Sequence, residues 1–245
     1  MALSTFVLVH GAWSGAYNYR RVRPLLQAAG HDVFTPSLTG LGDRAHLVSP
    51  LVNLSTHIRD VVNLVLYEDL RDIVLVGHSY GGMVVTGTVD HIADRIAHLV
   101  YLDAFLPDDG QSLHAMTGQN TEPDAGRDAG GIGPAPDTGW LVTPPERAYD
   151  SPADAAWAGA RRQPQPIACF REPVSLSRPL EERGFSLTYV KATADPDSSP
   201  GAAVFWAAAE RTRADQRWRY AEVATDHLIP QKDPAAVAKI LLDLL

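Results

Sequence analysis

Short apolar runs alternate with amphipathic stretches along most of the chain. Thr5–Val9 is a β-branched and aromatic run that stops at Gly11, and it reads as a buried parallel strand. Tyr17–Ala29 follows, with Tyr19, Val22, Leu25 and Leu26 at helical spacing and Gly30 as a natural stop. Pro24 marks a place where that helix begins or kinks. Asp32–Pro36 predicts a second strand, followed by a polar, glycine-rich turn over Ser37–Gly42. Leu54–Leu66 places Ile58, Val61, Val62 and Val65 on one helical face, with Ser55 or Thr56 near its start. Ile73–Val76 predicts a third strand, Gly82–Ile92 a helix and His98–Leu102 a fourth strand. Such alternation predicts an α/β fold: a mostly parallel sheet with right-handed crossovers and helices on both faces.

From about Leu106 to Gly184 this pattern breaks. Asp124–Gly139 is rich in Gly, Pro and Asp, and no period survives there, although Ala153–Arg162 could form a short helix. A long insertion in a compact domain usually serves as a lid or binding segment, and this one carries Trp140, Tyr149 and Trp157. The alternation returns with strands at Phe185–Val190 and Trp218–Val223 and helices near Ala202–Arg213 and Pro234–Leu244. The expected organisation is a single domain over 1–245, with its core in 1–105 and 185–245 and a lid at about 106–184.

Composition narrows the class. At 45% hydrophobic and 20% charged residues the chain is ordinary for a globular protein. Its formal charge of -8 argues against a nucleic acid or an anionic membrane as partner, since both select clustered Lys and Arg. A single cysteine, Cys169, excludes an internal disulfide framework and any multi-cysteine metal site, and it reads as a small buried apolar group. The apolar start of the chain is too short for a signal peptide or a membrane span, so a soluble, cytoplasmic protein is expected. The partner is a small molecule; the chain could act alone or as a homodimer.

The candidate chemistry starts at Gly77-His78-Ser79-Tyr80-Gly81, a G-x-S-x-G pattern. In a chain of this length the bare pattern arises by chance about once in ten, so its weight comes from context. A strand ends at Val76, a helix follows, and Gly82 adds close-packing freedom. A serine on such a sharp turn is lifted above the sheet as a nucleophile, with backbone N–H groups aimed at a developing oxyanion. His10-Gly11-Ala12-Trp13, at the end of the first strand, would supply the second oxyanion donor: Ala12, or Trp13, alongside Tyr80. Of nine histidines His227 is best placed as general base, in the loop between the last predicted strand and the final helix. His78 should point away from the site, whereas His10, Trp13 and Trp140 are candidates to line the substrate pocket. The acid that orients the imidazole divides between two places: Asp195 (with Asp197) in the loop after the fifth strand, and Asp103 at the end of the fourth. Asp195 leads and Asp103 is its rival.

With FVLVHGAW, VLVGHSYGG and TDHL in place, the chain resembles the plant methylesterase and hydroxynitrile lyase family of α/β hydrolases, on the side of its bacterial relatives. That resemblance implies an α/β-hydrolase fold and no cofactor, with Ser79 as nucleophile, His227 as base and Ala12 with Tyr80 as oxyanion donors. It favours Asp195 as the acid, through Thr193-Ala-Asp195. The lyases of the family carry Thr after the strand-end His and Lys after the catalytic His; Gly11 and Leu228 stand there instead, as in the esterases. The expected activity is therefore hydrolysis of carboxylic esters of small, mostly apolar substrates through an acyl-enzyme. A cofactor-free lyase and a non-catalytic receptor are the alternatives.

Overall fold

The computed structural model describes residues 3–118, 139–194 and 201–245. Its strands are β1 (Thr5–Val9), β2 (Asp32–Phe34), β3 (Ile73–His78), β4 (Ile96–Leu102), β5 (Leu141–Val142), β6 (Gln165–Pro166), β7 (Ser186–Ala192) and β8 (Trp218–Val223). Six of them form one sheet in the order β2-β1-β3-β4-β7-β8, every neighbouring pair parallel. The remaining two, β5 and β6, make a small antiparallel pair.

The helices are α1 (Arg23–Ala28), α2 (Leu54–Tyr67), α3 (Gly81–Ile92), α4 (Leu113–Met116), α5 (Pro152–Gly159), α6 (Ala168–Arg171), α7 (Ala202–Ala214), α8 (Ile229–Lys232) and α9 (Pro234–Leu242). Strand periodicity of two divides the core. Val7, Val9, Ile73 and Leu75 pack on one face with residues of α2, α3 and α7, while Phe6, Leu8, Val74 and Val76 pack on the other with residues of α1 and α9. The parallel sheet with helices on both faces, expected from the alternation, is the one observed, in keeping with the fold that the resemblance implies.

Local differences have local causes. The predicted helix over Tyr17–Ala29 is split into a 3-10 turn at Ala16–Tyr19 and α1, which opens with Pro24 in its first turn, where a missing N–H costs nothing. Helix α2 is capped by Asn53 rather than by Ser55 or Thr56: the Asn53 side chain accepts from the Thr56 N–H, and the Thr56 hydroxyl accepts from the Asn53 N–H. Between β4 and β7 the described insertion holds only short elements. Ser151 caps α5 and Ser112 caps α4. Among the described residues no helix is long and apolar enough to cross a membrane.

Candidate active site

Strand register assembles the site. His78 pairs with Leu102 across β3 and β4, and Leu102 pairs with Val190 across β4 and β7. The next residue of each strand is Ser79, Asp103 and Lys191, so these three stand in a row along the C-terminal edge of the sheet. Ligand sites of open parallel sheets form at that edge.

Ser79 sits at φ +55°, a left-handed conformation that costs a non-glycine residue about 1 kcal/mol or more. Neighbouring backbone holds it there: its carbonyl accepts from Gly82 N (3.0 Å) and Phe105 N (3.2 Å). A Cβ on Gly77 would come within 2.7 Å of the Gly81 carbonyl oxygen, and one on Gly81 within 2.6 Å of the Val9 oxygen. Both glycines of the motif are therefore steric requirements of the turn.

Asp103 is also strained, at φ +43°, with its N–H donating to Val190 O at 2.7 Å. Its Oδ2 lies 2.6 Å from His227 Nδ1, and Oδ1 accepts from Lys191 Nζ (2.8 Å) and Ala192 N (3.1 Å). Burial pushes this carboxyl upward, but the hydrogen bond and charge of His227 and the ammonium of Lys191 outweigh it and hold the group below the usual carboxylate range. The sequence favoured Asp195 as partner of His227; Asp195 and Asp197 lie outside the described residues, and the acid that meets the imidazole is Asp103. The physical reason is register, which puts the end of β4 beside the end of the nucleophile strand.

The imidazole of His227 is fixed on three sides. Phe205 stacks on it (4.8 Å between centroids, 11°), His78 leans on it (4.9 Å, 34°), and Asp103 takes Nδ1. Nε2 is left for a nucleophile, and His227 and Ser79 line one cavity. His78 does not point away from the site, as the sequence suggested. It lines the same cavity and donates from Nε2 to the His227 carbonyl at 2.8 Å. Its Nδ1 accepts from Asn18 Nδ2, and Asn18 Oδ1 accepts from Gln231 Nε2. Burial, then the nearby His227, lowers the His78 pKa to about 3, so this ring stays neutral.

At the first loop, Trp13 adopts φ +56° and its N–H donates to Gln165 Oε1 at 2.9 Å, while its indole N–H donates to Val142 O at 2.9 Å. The Trp13 N–H is thereby engaged away from the serine, and Trp13 is among the residues that line the cavity. The N–H groups of Ala12 and Tyr80 have no acceptor among the described residues. His10 is a correction: it is fully buried, donates from Nδ1 to Gly11 O and accepts at Nε2 from Leu38 N, which leaves it nothing to offer a substrate. Trp140 is another. It is absent from the cavity wall, and its carbonyl accepts from Ile167 N. Cys169 is buried as expected, and burial pushes its thiol up to about 12.

Sequence reasoning missed Lys191 and Gln165 and the contribution of Asn18, Arg147 and Arg162 to the cavity wall, where Tyr149 also stands. A lysine directly after the apolar strand run was a usable signal for the first. The others are polar residues on very short elements or irregular stretches, with no periodicity to flag them. The insertion also brings two arginines, Arg147 and Arg162, to the site.

A family model described as "Alpha/beta hydrolase family" matches residues 6–240. The chain belongs to the alpha/beta hydrolase family. It is 44% identical over 180 residues to a carbendazim hydrolyzing esterase of Nocardioides sp. (strain SG-4G), taking in 71% of this chain and 74% of that one. It is 35% identical over 105 residues to Methylesterase 8 of Arabidopsis thaliana, covering 42% of this chain and 38% of the relative. In structure it is similar to an extracellular α/β-hydrolase of a Paenibacillus species, with a TM-score of 0.75, 24% identity and 98% of each chain covered, a likeness of fold. Within the family this chain is a carboxylic ester hydrolase.

Proposed function

We propose that Ser79, His227 and Asp103 act as the catalytic triad of this esterase, with the N–H groups of Ala12 and Tyr80 as the oxyanion hole. The observation that carries this reading is the 2.6 Å contact between His227 Nδ1 and Asp103 Oδ2, made beside a strained serine in the neighbouring strand turn. Ser79 Oγ attacks the ester carbonyl carbon as its proton passes to His227 Nε2, and the carbonyl oxygen takes up the negative charge between the two N–H groups. The tetrahedral species collapses, the alkoxide leaves with the proton from His227 Nε2, and the acyl group stays on Ser79. Water then attacks the acyl carbon as its proton passes to His227 Nε2; the second tetrahedral species collapses, Ser79 Oγ leaves and takes that proton back, and the acid departs. Asp103 keeps Nδ1 protonated and stabilises the imidazolium in both halves.

Gly11 supports ester cleavage over the lyase alternative. A Cβ there would stand 2.9 Å from Ser79 Cβ, so a threonine could not enter without displacing the nucleophile. A lid role for the insertion is supported by Arg147, Tyr149, Ala158 and Arg162, which line the cavity that also holds Ser79. Its apolar wall (Trp13, Ala158, Leu228) suits a small, mostly apolar group, and the arginines suit a polar or electron-rich substituent beside it. Carbendazim, named for the Nocardioides relative, belongs in the first substrate panel with p-nitrophenyl esters of graded length. A fluorophosphonate probe with peptide mass spectrometry tests the scheme. The adduct is expected on Ser79; an adduct elsewhere, or none on folded protein that turns over esters, would overturn it.

A further inference from the structure

Behind the proposed triad lies a cation that the acyl-transfer scheme leaves unused. Lys191 is fully buried, as is Asp103, and the two form an ion pair of 2.8 Å at the sheet edge. The ammonium makes two hydrogen bonds and one ring contact. One goes to Asp103 Oδ1, one to the Ala192 carbonyl at 2.5 Å, and the ammonium stands 4.5 Å from the centre of the Trp206 ring, within cation–π range. Burying such a pair is costly and gives little net stability, so its presence at a reacting edge asks for another role.

We infer that Lys191 is a positioning residue of the ester hydrolysis: its ammonium holds the Asp103 carboxylate charged and turned toward His227, so that the site keeps working under mildly acidic conditions. This rests on the triad reading above. The groups that face Asp103 are Lys191 and Tyr189 from β7, His227 from the loop after β8, Tyr220 from β8, and His78 from the elbow. Tyr189 is kept protonated by burial, and Tyr220 by burial and its Glu222 neighbour. His78 is neutral, so Lys191 is the permanent positive charge in direct contact with the carboxylate. Without it, a desolvated Asp103 would keep only the Ala192 and His227 N–H donors, and protonation would remove the anion that steadies the imidazolium. With it, the resting Asp–Lys–His group carries no net charge. The proton transfer then creates only an imidazolium and an oxyanion of opposite sign.

Three substitutions test this. Lys191→Met removes charge and hydrogen bond, Lys191→Gln keeps a donor and removes the charge, and Lys191→Arg keeps the charge. Folding of each is followed by circular dichroism at every pH, active sites are counted with the fluorophosphonate, and kcat and KM for p-nitrophenyl acetate are measured from pH 5.5 to 9. At pH 8 the Met and Gln variants should hold kcat per active site within about tenfold, and KM within about threefold, of the wild type. The acidic limb of their kcat/KM profile should move up by about one pH unit, widening the gap about tenfold further by pH 5.5, and Arg should restore the limb. Folded Met or Gln variants whose acidic limb superimposes on the wild type would overturn the inference and leave Lys191 a purely structural counter-ion. Failure of the triad reading is separate, because Asp103→Asn would then label at the wild-type rate.

Discussion

The sheet edge and the insertion contribute to the same cavity by different physics. At the sheet edge, Ser79 and Asp103 are placed by strand register and by backbone hydrogen bonds to residues far away in sequence. Two non-glycine residues at positive φ persist there because their surroundings leave no alternative. The insertion is tied down by side chains: Gln165 and Val142 to Trp13, Asp154 to Arg21, Asp150 to Lys232, and Glu172 to Ser55. Chemistry is thus built where geometry is over-determined, and pocket shape where single side chains can change without disturbing the sheet.

If that division holds, substitutions at the edge should cost rate and substitutions in the insertion should cost much less. The largest effect is expected for Ser79→Ala or His227→Ala: kcat falls by about 10⁴-fold or more with Tm little changed, checked by ester turnover and thermal melts. Retained activity in either would break the comparison at its centre. Next comes acid unfolding of the sheet side. Burial lowers the pKa of His10 and His57 to about 4 and of His78 to about 3, so these rings are neutral when folded. The unfolded chain takes up protons below about pH 6.5 while the folded one does not, so stability is fully present above that value and is lost as pH falls toward 4. Each ring contributes at most about 1.4 kcal/mol per pH unit, and cooperative unfolding between about pH 5.5 and 4 is expected by circular dichroism. Stability flat to pH 4 would contradict the buried neutral rings.

A smaller effect sharpens the boundary between the two regions. Gln165→Leu frees the Trp13 N–H and loosens the loop that carries Ala12; kcat should drop about tenfold with KM nearly constant, whereas Gln165→Glu, which keeps an acceptor, should recover most of it. Equal loss in both variants would mean that the contact is not the one that matters. The smallest effect belongs to Arg21→Ala, which breaks an exposed ion pair with Asp154 and should move Tm by about two degrees at most and leave kcat/KM unchanged.

The same division explains what could be read from the residues alone. The strand at Thr5–Val9 and the elbow at Ser79 are visible because local pattern and tertiary role coincide: apolar runs end where glycine permits a turn. Placing Asp103 beside His227 required the register of β3 against β4 and of β4 against β7, which no local pattern carries. His10 next to a functional loop looked like a site residue, yet both its ring nitrogens are spent on backbone. Trp140 and the arginines of the insertion illustrate the opposite case, in which an irregular segment gives no rule for which side chain will face inward.

The central claim is that the carboxylate at the end of β4 serves His227. Its most direct test is kcat per folded protein for Asp103→Asn set against Asp195→Asn. The account predicts a loss of about 10³–10⁴-fold for Asp103→Asn, with Asp195→Asn within about threefold of the wild type. A large loss in Asp195→Asn with Asp103→Asn near wild type would contradict it.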